Sequence, residues 1–493
     1  MSSNRYFANP FHLPSSSSSS SSLSSVVALA SHPQTREDVT VSKEYLFQKA
    51  YQLFQKCCSY YEHHVPILHT DNKERVGMPE IPRMMDAKYI GSLYVGGLGP
   101  CVYLAWKVAT SPFLSTLRAT STSDSSSTAN SIPTIQLRRH LLHHALDVVQ
   151  QSLHYHKWDY PRVTLLEGPV VGAFVMKCVI LQSLRQDIIT ASPSSSPPTI
   201  ISSTESDMDQ EIQKSKHELL RIASIVQAMD STQCEVLYGR AGYLSALSFL
   251  IQKGILTQSN MTVDTMHPHS VEPACLSIIN DILKEIMSNG RQVALEERFI
   301  LFSQDNKDTW MNRNAEGNKT EDYHKQHEEK IVPLLWKWHE SYYLGAAHGI
   351  VGILHTILQF YPWIQNHLVL DNPSPSSSLI STWIRDTIDG LDDFCFPSSM
   401  NLNSSIDPNW NTYISQQKTI THLLSPKHDR LVHWCHGATG HVLLLLKAYD
   451  VFQEDKYLFK AQEIARRVIV PRGLLKKGVG LCHGKGFQNL RQT

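Results

Sequence analysis

The sequence lacks the features that mark membrane-spanning, secreted and nucleic-acid-binding proteins. Lys plus Arg and Asp plus Glu number 45 each, so no excess of one charge favours a polyanion or an anionic lipid surface as an obligate partner. No apolar run reaches the roughly 18–20 residues that a membrane-spanning helix requires. The N-terminal residues do not show the basic segment followed by an apolar one that a secretory signal requires. We therefore expect a cytoplasmic protein. Ser2 stands where N-myristoylation needs glycine, so we expect no anchor of that kind, and peripheral association with the plasma membrane is left open.

A regular set of cysteine pairs is also absent. The nine cysteines are odd in number and widely scattered, whereas disulfide frameworks use even numbers at short spacings. Reduced thiols or metal ligands are therefore expected. Strand signals, meaning alternating β-branched runs joined by tight turns, are nearly absent too. Hydrophobic residues make up 42% of the chain, enough for a large core, and we expect this core to be helical.

Serine-rich tracts interrupt the helical patterns. Residues 1–40 include an unbroken serine run from Ser15 to Ser22 and cannot bury enough apolar surface to become ordered, which predicts a mostly disordered N-terminal arm. Further Ser/Pro-rich tracts, near residues 111–133, 189–210 and 370–378, fall between helical patterns. Surface insertions of this kind cost little closure entropy. We expect residues 41–493 to form a single all-α domain that carries these insertions.

A Gly-centred turn recurs six times, and an apolar helix follows each of the first five copies. A helix that is apolar all round is buried, whereas a one-faced helix lies outside it, and the two kinds alternate along this chain. This alternation predicts two concentric rings of helices, an α/α toroid. The glycines allow tight turns where the inner helices begin, at one rim of the toroid. We number these turns 1 to 6: 93–99 (LYVGGLG), 165–172 (LLEGPVVG), 237–242 (LYGRAG), 345–352 (GAAHGIVG), 434–440 (WCHGATG) and 481–484 (LCHG).

Turns 5 and 6 each contain the sequence Cys-His-Gly. Zinc binds thiolates and imidazoles, and a catalytic zinc usually has three protein ligands and one open position. Two thiols and one imidazole from these turns meet that requirement. The alternative is a pair of buried cysteines and two helix-end histidines without a metal, since cysteine is often a small core residue. The residue types alone leave both interpretations open.

Five segments resemble the eukaryotic LanC-like proteins, which are related to bacterial lanthionine cyclases. The segments are 5–10 (RYFANP), 237–243 (LYGRAGY), 342–349 (YYLGAAHG), 431–438 (LVHWCHGA) and 473–484 (GLLKKGVGLCHG). The resemblance implies an α/α toroid of seven helical pairs with a zinc at its centre. By position it implies that Cys435, Cys482 and His483 bind the zinc. It also implies that His348, beside the site, has an acid/base role.

The resemblance further implies an activity. The implied reaction adds the thiol of glutathione to dehydroalanine or dehydrobutyrine residues in proteins, and the product is a thioether. These residues arise by loss of phosphate from phosphoserine or phosphothreonine, so formerly phosphorylated proteins are expected partners. A zinc-bound thiol is deprotonated. Attack of this thiolate on the dehydroamino acid generates an enolate, which His348 can protonate. Lys477 matches a glutathione-binding lysine of the family, and Arg240 and Arg5 are further candidates for binding substrate at the same rim.

The resemblance stops abruptly after Gly484. Nine more residues, 485–493, stand where the family has the sixth inner helix and a seventh helical pair. The sixth pair is therefore expected to be incomplete and the seventh missing, as in a shortened isoform or a misread splice junction. A ring without one pair exposes the apolar flanks of its neighbours.

Two other functions fit the sequence. A binding or adaptor protein would keep the zinc- and glutathione-binding surface without turnover, and the truncation favours it. A carbohydrate-active toroid would need two carboxylates that flank the scissile bond, and Glu167 is the only acidic residue expected at the inner-helix starts. The enzyme is the interpretation that the motifs favour, and we expect the truncation to put its activity at risk.

Overall fold

The computed structural model describes residues 92–94, 98–112, 114, 134–155, 162–191, 198–258, 271–301, 330–368, 370, 376–415 and 424–473. The predicted N-terminal arm and turn 6 lie outside these residues. So do four predicted site residues: Arg5, Lys477, Cys482 and His483. Their roles stay predictions.

Helices account for nearly all regular structure in the described residues, which confirms the predicted all-α class. Strand β1 (Tyr342–Tyr343) pairs antiparallel with strand β2 (Ser405–Ile406) in a two-stranded sheet. Short π-helical segments span Leu98–Tyr103 and Ala465–Ile469, and a 3-10 turn spans Leu391–Phe394. The α-helices are α1 (Leu104–Ala109), α2 (Thr134–Tyr155), α3 (Pro169–Ala191), α4 (Pro198–Gln227), α5 (Arg240–Gln252), α6 (Pro273–Glu297), α7 (Ile350–Gln359), α8 (Tyr361–His367), α9 (Ser377–Gly390), α10 (Trp410–Ser415), α11 (Ala438–Phe452), α12 (Asp455–Ile464) and α13 (Val470–Arg472).

The chain divides into two compact units. The first contains Met1–Tyr155, Ile180–Met208 and Leu474–Thr493, and the second contains His156–Val179 and Asp209–Gly473. The prediction of a single domain over residues 41–493 stays a prediction. In the first unit, α1 and the π-helical segment before it pack on α2.

The second unit alternates inner and outer helices. Helix α5 packs on α7, and α7 packs on α11, so three apolar helices lie side by side. Nearly every side chain of α7 is fully buried. Helix α6 packs on α5 and buries one face, with Cys275, Ile279, Leu283 and Ile286 at helical spacing. Helix α12 packs on α11 in the same way. The predicted alternation of inner and outer helices is confirmed for these copies.

One predicted insertion is largely helical. Helix α3 continues to Ala191 and α4 begins at Pro198, so most of the tract near residues 189–210 lies within helices. Proline is well tolerated at the first helical position, where its missing N–H group would have no partner. A serine-rich composition is only a weak bias against helix. Among the described residues, no helix is both long and apolar enough to cross a bilayer.

Candidate functional site

Turns 2 to 5 hydrogen-bond to one another in sequence order. The Leu165 N–H donates to Gly242 O at 3.1 Å, which joins turn 2 to turn 3. The N–H of Val236, directly before turn 3, donates to Ala347 O of turn 4 at 3.1 Å. The Ala347 N–H in turn donates to Cys435 O of turn 5 at 3.3 Å. These four turns form one continuous layer, which we call the turn layer. The prediction that the turns meet at one rim is confirmed for these four copies.

Glycines allow neighbouring turns to approach this closely. A Cβ atom added at Gly345 would lie 2.0 Å from the carbonyl oxygen of Cys435, closer than any side chain permits. Gly437, directly before α11, has a φ of +104°, in the region that favours glycine. Backbone contacts therefore hold turn 5 against turn 4 and set the position of Cys435.

Three aromatic rings occupy equivalent positions in turns 3, 4 and 5. Tyr238, His348 and His436 each directly precede the glycine that begins an inner helix, and all three are half-buried. The ring centroids of Tyr238 and His348 are 5.7 Å apart, and those of His348 and His436 are 6.3 Å apart. The turn layer thus places His348 between two other rings at a partly exposed surface.

His348 is held by a carboxylate that the motifs do not reveal. Its Nδ1 lies 2.7 Å from Oε2 of Glu235, which is 1% exposed. The same carboxylate accepts the backbone N–H groups of Leu237, at 2.9 Å, and of Tyr238. Because an ionised carboxylate can only accept hydrogen bonds, Nδ1 carries a proton. Nε2 is therefore the ring nitrogen that Glu235 leaves available for other partners.

Glu235 corrects the expectation that Glu167 is the only acidic residue at the inner-helix starts. Glu235 lies two residues before turn 3, outside the repeated pattern, so its sequence position gives little signal. Glu167 is buried and pairs with Arg162 at 3.2 Å. Each carboxylate thus bonds to a basic side chain, whereas a glycosidase keeps two carboxyl groups facing the scissile bond. This arrangement disfavours the carbohydrate-active alternative.

Cys435 lies in turn 5 and is 3% exposed. Its carbonyl oxygen bonds to the residue that precedes His348, so the thiol-bearing turn and the histidine-bearing turn are directly joined. The described residues contain one of the three predicted zinc ligands, and no group of three or more potential metal ligands occurs among them. By its chemistry the full predicted set, with Cys482 and His483, fits zinc with one position open.

Other cysteines of the described residues are core residues. Burial raises the pKa values of Cys178, Cys234 and Cys275 to about 12. A raised pKa disfavours the reactive thiolate, as is usual for a cysteine buried in an apolar core.

A buried network holds the base of turn 5. Asn401, 0% exposed, accepts the Ala438 N–H through Oδ1 at 2.7 Å and caps α11. Its Nδ2 donates to Leu431 O at 2.8 Å and to Asp429 Oδ1 at 2.7 Å. Arg472 donates to both Asp429 carboxylate oxygens at 2.9 Å. Burial alone would raise the pKa of Asp429, but hydrogen bonds, led by those from Arg472, hold it below its ordinary value. The network ties turn 5 to the chain ten residues before Cys482.

Arg240, a predicted substrate-binding residue, is 2% exposed. Its guanidinium donates to the backbone oxygens of Gln227 at 3.4 Å, Met229 at 2.7 Å and Asp230 at 2.6 Å. These carbonyls lie at and just beyond the C-terminal end of α4, where carbonyl groups lack helical partners. The contacts give Arg240 a structural role, and its predicted contact with substrate receives no support from them.

Comparisons with known proteins agree with these features. A family model described as lanthionine synthetase C-like protein matches residues 199–486, more than half of the chain. This range contains turns 3 to 6, and therefore His348 and all three predicted zinc ligands. A Danio rerio protein named glutathione S-transferase LANCL1 is 28% identical over 308 residues, which are 62% of this chain and 58% of the relative. The match thus spans less than two thirds of that relative's length. The chain belongs to the lanthionine synthetase C-like family, whose fold is the predicted α/α toroid.

Proposed function

We propose that this protein is a zinc-dependent glutathione transferase that adds the glutathione thiol to dehydroalanine or dehydrobutyrine residues in proteins. The name of the Danio rerio relative supports glutathione as the thiol. The observation that carries the proposal is the Glu235–His348 pair, in turns bonded to the turn of Cys435. This pair supplies a proton-transfer group beside a predicted thiolate site.

Cys435, Cys482 and His483 would hold the zinc. A free thiol has a pKa of roughly 8.5 and is mostly protonated at neutral pH. When bound, the metal would keep the glutathione thiol deprotonated. Cys435 suits this role because backbone contacts with turn 4 set its position before any metal binds.

His348 acts on the carbon skeleton of the substrate. Attack of the glutathione sulfur on the β-carbon forms the C–S bond and moves the double-bond electrons toward the carbonyl, which gives an enolate. Nε2 of the protonated imidazole then donates its proton to the α-carbon. The carboxylate of Glu235 holds the Nδ1–H group, so it orients the ring and leaves Nε2 as the reacting nitrogen.

Two further residues are proposed to bind glutathione. Lys477 and Arg5 offer positive charges that pair with its carboxylates. We also propose a cytoplasmic location, because that compartment keeps thiols reduced.

Turnover of a defined substrate tests the proposal. The full chain is incubated with glutathione and a dehydroalanine peptide, and the thioether is quantified by mass spectrometry. We expect product from the wild type and a loss of about 10²–10⁴-fold for His348→Gln and Glu235→Gln, because proton transfer contributes that much. Glu167→Gln is the matched control: it removes another buried carboxylate, one not bonded to His348, and should keep activity.

Metal content gives a second measurement. We expect about one zinc per chain, lost in Cys435→Ser and Cys482→Ser, because a three-ligand site does not survive loss of a thiolate. Cys275→Ser changes a buried core cysteine and should keep the metal. A chain without zinc and without product would contradict the proposal. Glutathione binding by calorimetry without product would instead support the non-catalytic adaptor.

A further inference from the structure

An indole ring lies flat against His348. The ring centroids of Trp338 and His348 are 3.9 Å apart, and their planes differ by 2°. The centroids of the other neighbouring rings, Tyr238, Tyr343 and His436, lie 5.7, 5.8 and 6.3 Å from that of His348. Trp338 is therefore the ring in direct face-to-face contact with the imidazole.

A tight turn holds Trp338 in place independently of His348. The Trp338 N–H donates to Ser341 O at 3.0 Å, and the Ser341 N–H donates to Trp338 O at 3.2 Å. Between them, His339 has a φ of 51°. This left-handed conformation costs a non-glycine residue about 1–3 kcal/mol, so it persists only where the surroundings enforce it. The ring of His339 packs on the indole, with the two centroids 4.2 Å apart.

Two contacts constrain the imidazole in complementary ways. The hydrogen bond from Nδ1 to Glu235, 2.7 Å long, holds one edge of the ring but permits the ring to tilt about that bond. The flat contact with Trp338 removes this tilt. Together the two contacts fix the direction in which Nε2 points.

We propose that Trp338 is a positioning residue that fixes the plane of His348 and so directs Nε2 at the α-carbon of the dehydroamino acid. This inference rests on the proposed function, which gives Nε2 a carbon to protonate. Trp338 itself exchanges no proton. A displacement of about 1 Å in a reacting group costs up to about 10²-fold in rate. The effect of losing the indole should therefore appear in kcat and leave the binding of glutathione unchanged.

Three variants of the full chain test this role. Trp338→Leu keeps apolar volume without a flat ring, and Trp338→Phe keeps a flat ring. Trp383→Leu is the matched control, because Trp383 is also half-buried but packs on the Arg291 guanidinium, 4.7 Å from its ring centroid. We expect Trp338→Leu to lower kcat about tenfold to hundredfold at unchanged KM for glutathione and unchanged melting temperature. Trp338→Phe should recover most of the loss.

A second readout does not depend on turnover. In protein with ¹³C-labelled histidine, the ring current of a stacked indole moves the Cε1–H signal of His348 upfield, and the His348→Gln spectrum identifies this signal. We expect Trp338→Leu to return the signal downfield, Trp338→Phe to return it partly, and Trp383→Leu to leave it in place.

The outcomes separate this inference from the proposed function. An unmoved His348 signal in folded Trp338→Leu, or a moved signal with unchanged kcat, would overturn the positioning role. If the wild type forms no thioether but the signal still moves, the proposed function fails and the indole still holds the ring. If Trp338→Leu does not fold, Trp338→Phe tests the positioning role. That variant should shift the His348 signal partly and lower kcat, and the absence of either effect would overturn the role.

Discussion

At the residue scale, the candidate chemistry depends on the immediate surroundings of His348. Glu235 bonds to Nδ1 and is itself held by two backbone N–H groups, so the carboxylate cannot rotate away. Trp338 fixes the face of the ring. A buried carboxylate that accepts the Nδ1–H group fixes the orientation of the ring, as a general acid requires. Removing either partner should therefore affect proton transfer more than binding.

Arg240 gives a prediction at the same scale. Replacing it by Met removes the donor of three hydrogen bonds to carbonyls at the end of α4. We expect the free energy of unfolding to fall by about 2–4 kcal/mol, because hydrogen bonds from a charged donor contribute about 1.5–3 kcal/mol each and do not add fully. Urea unfolding measures the loss. The affinity of the folded protein for glutathione should stay unchanged; a tenfold weaker affinity at unchanged stability would restore the substrate-binding role.

At the element scale, the caps and turns of the inner helices position the site. Helix α11 begins at turn 5, and the side chain that caps it comes from Asn401, 37 residues earlier in the chain. The same amide bonds to the carboxylate that Arg472 clamps. Asn401 thus joins the Cys435 turn to the segment before it, and Asp429 links that segment to Arg472.

Asn401→Ala tests this cap. We expect a loss of about 2–3 kcal/mol in the free energy of unfolding, because a cap contributes about 1 kcal/mol and the partners of the amide are left buried without it. Ser376→Ala is the matched control: Ser376 caps α9 at an exposed site by accepting the Leu379 N–H at 3.3 Å. Its loss should cost about 0.5–1 kcal/mol. Zinc affinity should fall for Asn401→Ala and stay the same for Ser376→Ala; equal effects of the two variants would contradict the positioning role of the cap.

At the scale of the whole molecule, one buried histidine links stability to pH. His441 of α11 is 0% exposed, and neither ring nitrogen has a hydrogen-bond partner among the described residues. Burial lowers its pKa to about 4. The charged groups that act on it are Asp392, which favours the protonated ring, and Lys460, which opposes it; these two pair with each other at 3.0 Å.

The sign of the effect follows from the two pKa values. The unfolded chain takes up a proton on His441 near pH 6.5, whereas the folded protein takes it up only near pH 4. The contribution of neutral His441 to the free energy of unfolding is therefore fully present above pH 6.5. It is lost as the pH falls toward 4, by about 3 kcal/mol in total. His441→Leu removes this titration. We expect the stability difference between wild type and variant to change by about that amount between pH 7 and pH 4 in urea unfolding.

A constant difference in stability across this pH range would contradict the role of His441.

The lowered pKa of Asp429 affects stability in a separate, more acidic pH range. Its stabilisation is present above the ordinary pKa of about 3.9 and is lost as the pH falls below it. Asp429→Asn should therefore flatten the pH dependence below about pH 4 and leave the range from pH 6.5 to 4.5 unchanged.

From the sequence alone we could predict the helical class, the alternation of inner and outer helices, the glycine turns and the residue types that carry the chemistry. These features follow from local patterns: helical periodicity reports which face of a helix is buried, and glycine marks where the chain turns sharply. His348 and Cys435 were identifiable because their turns carry motifs of the family. The serine-rich tract near residues 189–210 shows the limit of composition, because most of it is helical.

The contacts between distant side chains become visible only in the folded chain. Glu235 lies 113 residues from His348 in the chain, and their contact exists because turns 3 and 4 bond to each other. Arg240 stands in a motif beside the rim, yet its side chain turns back to the end of α4. Asn401 caps a helix that begins 37 residues later. Such pairings depend on how separate turns pack, because burial and hydrogen bonding act between residues that are neighbours in space and not in sequence.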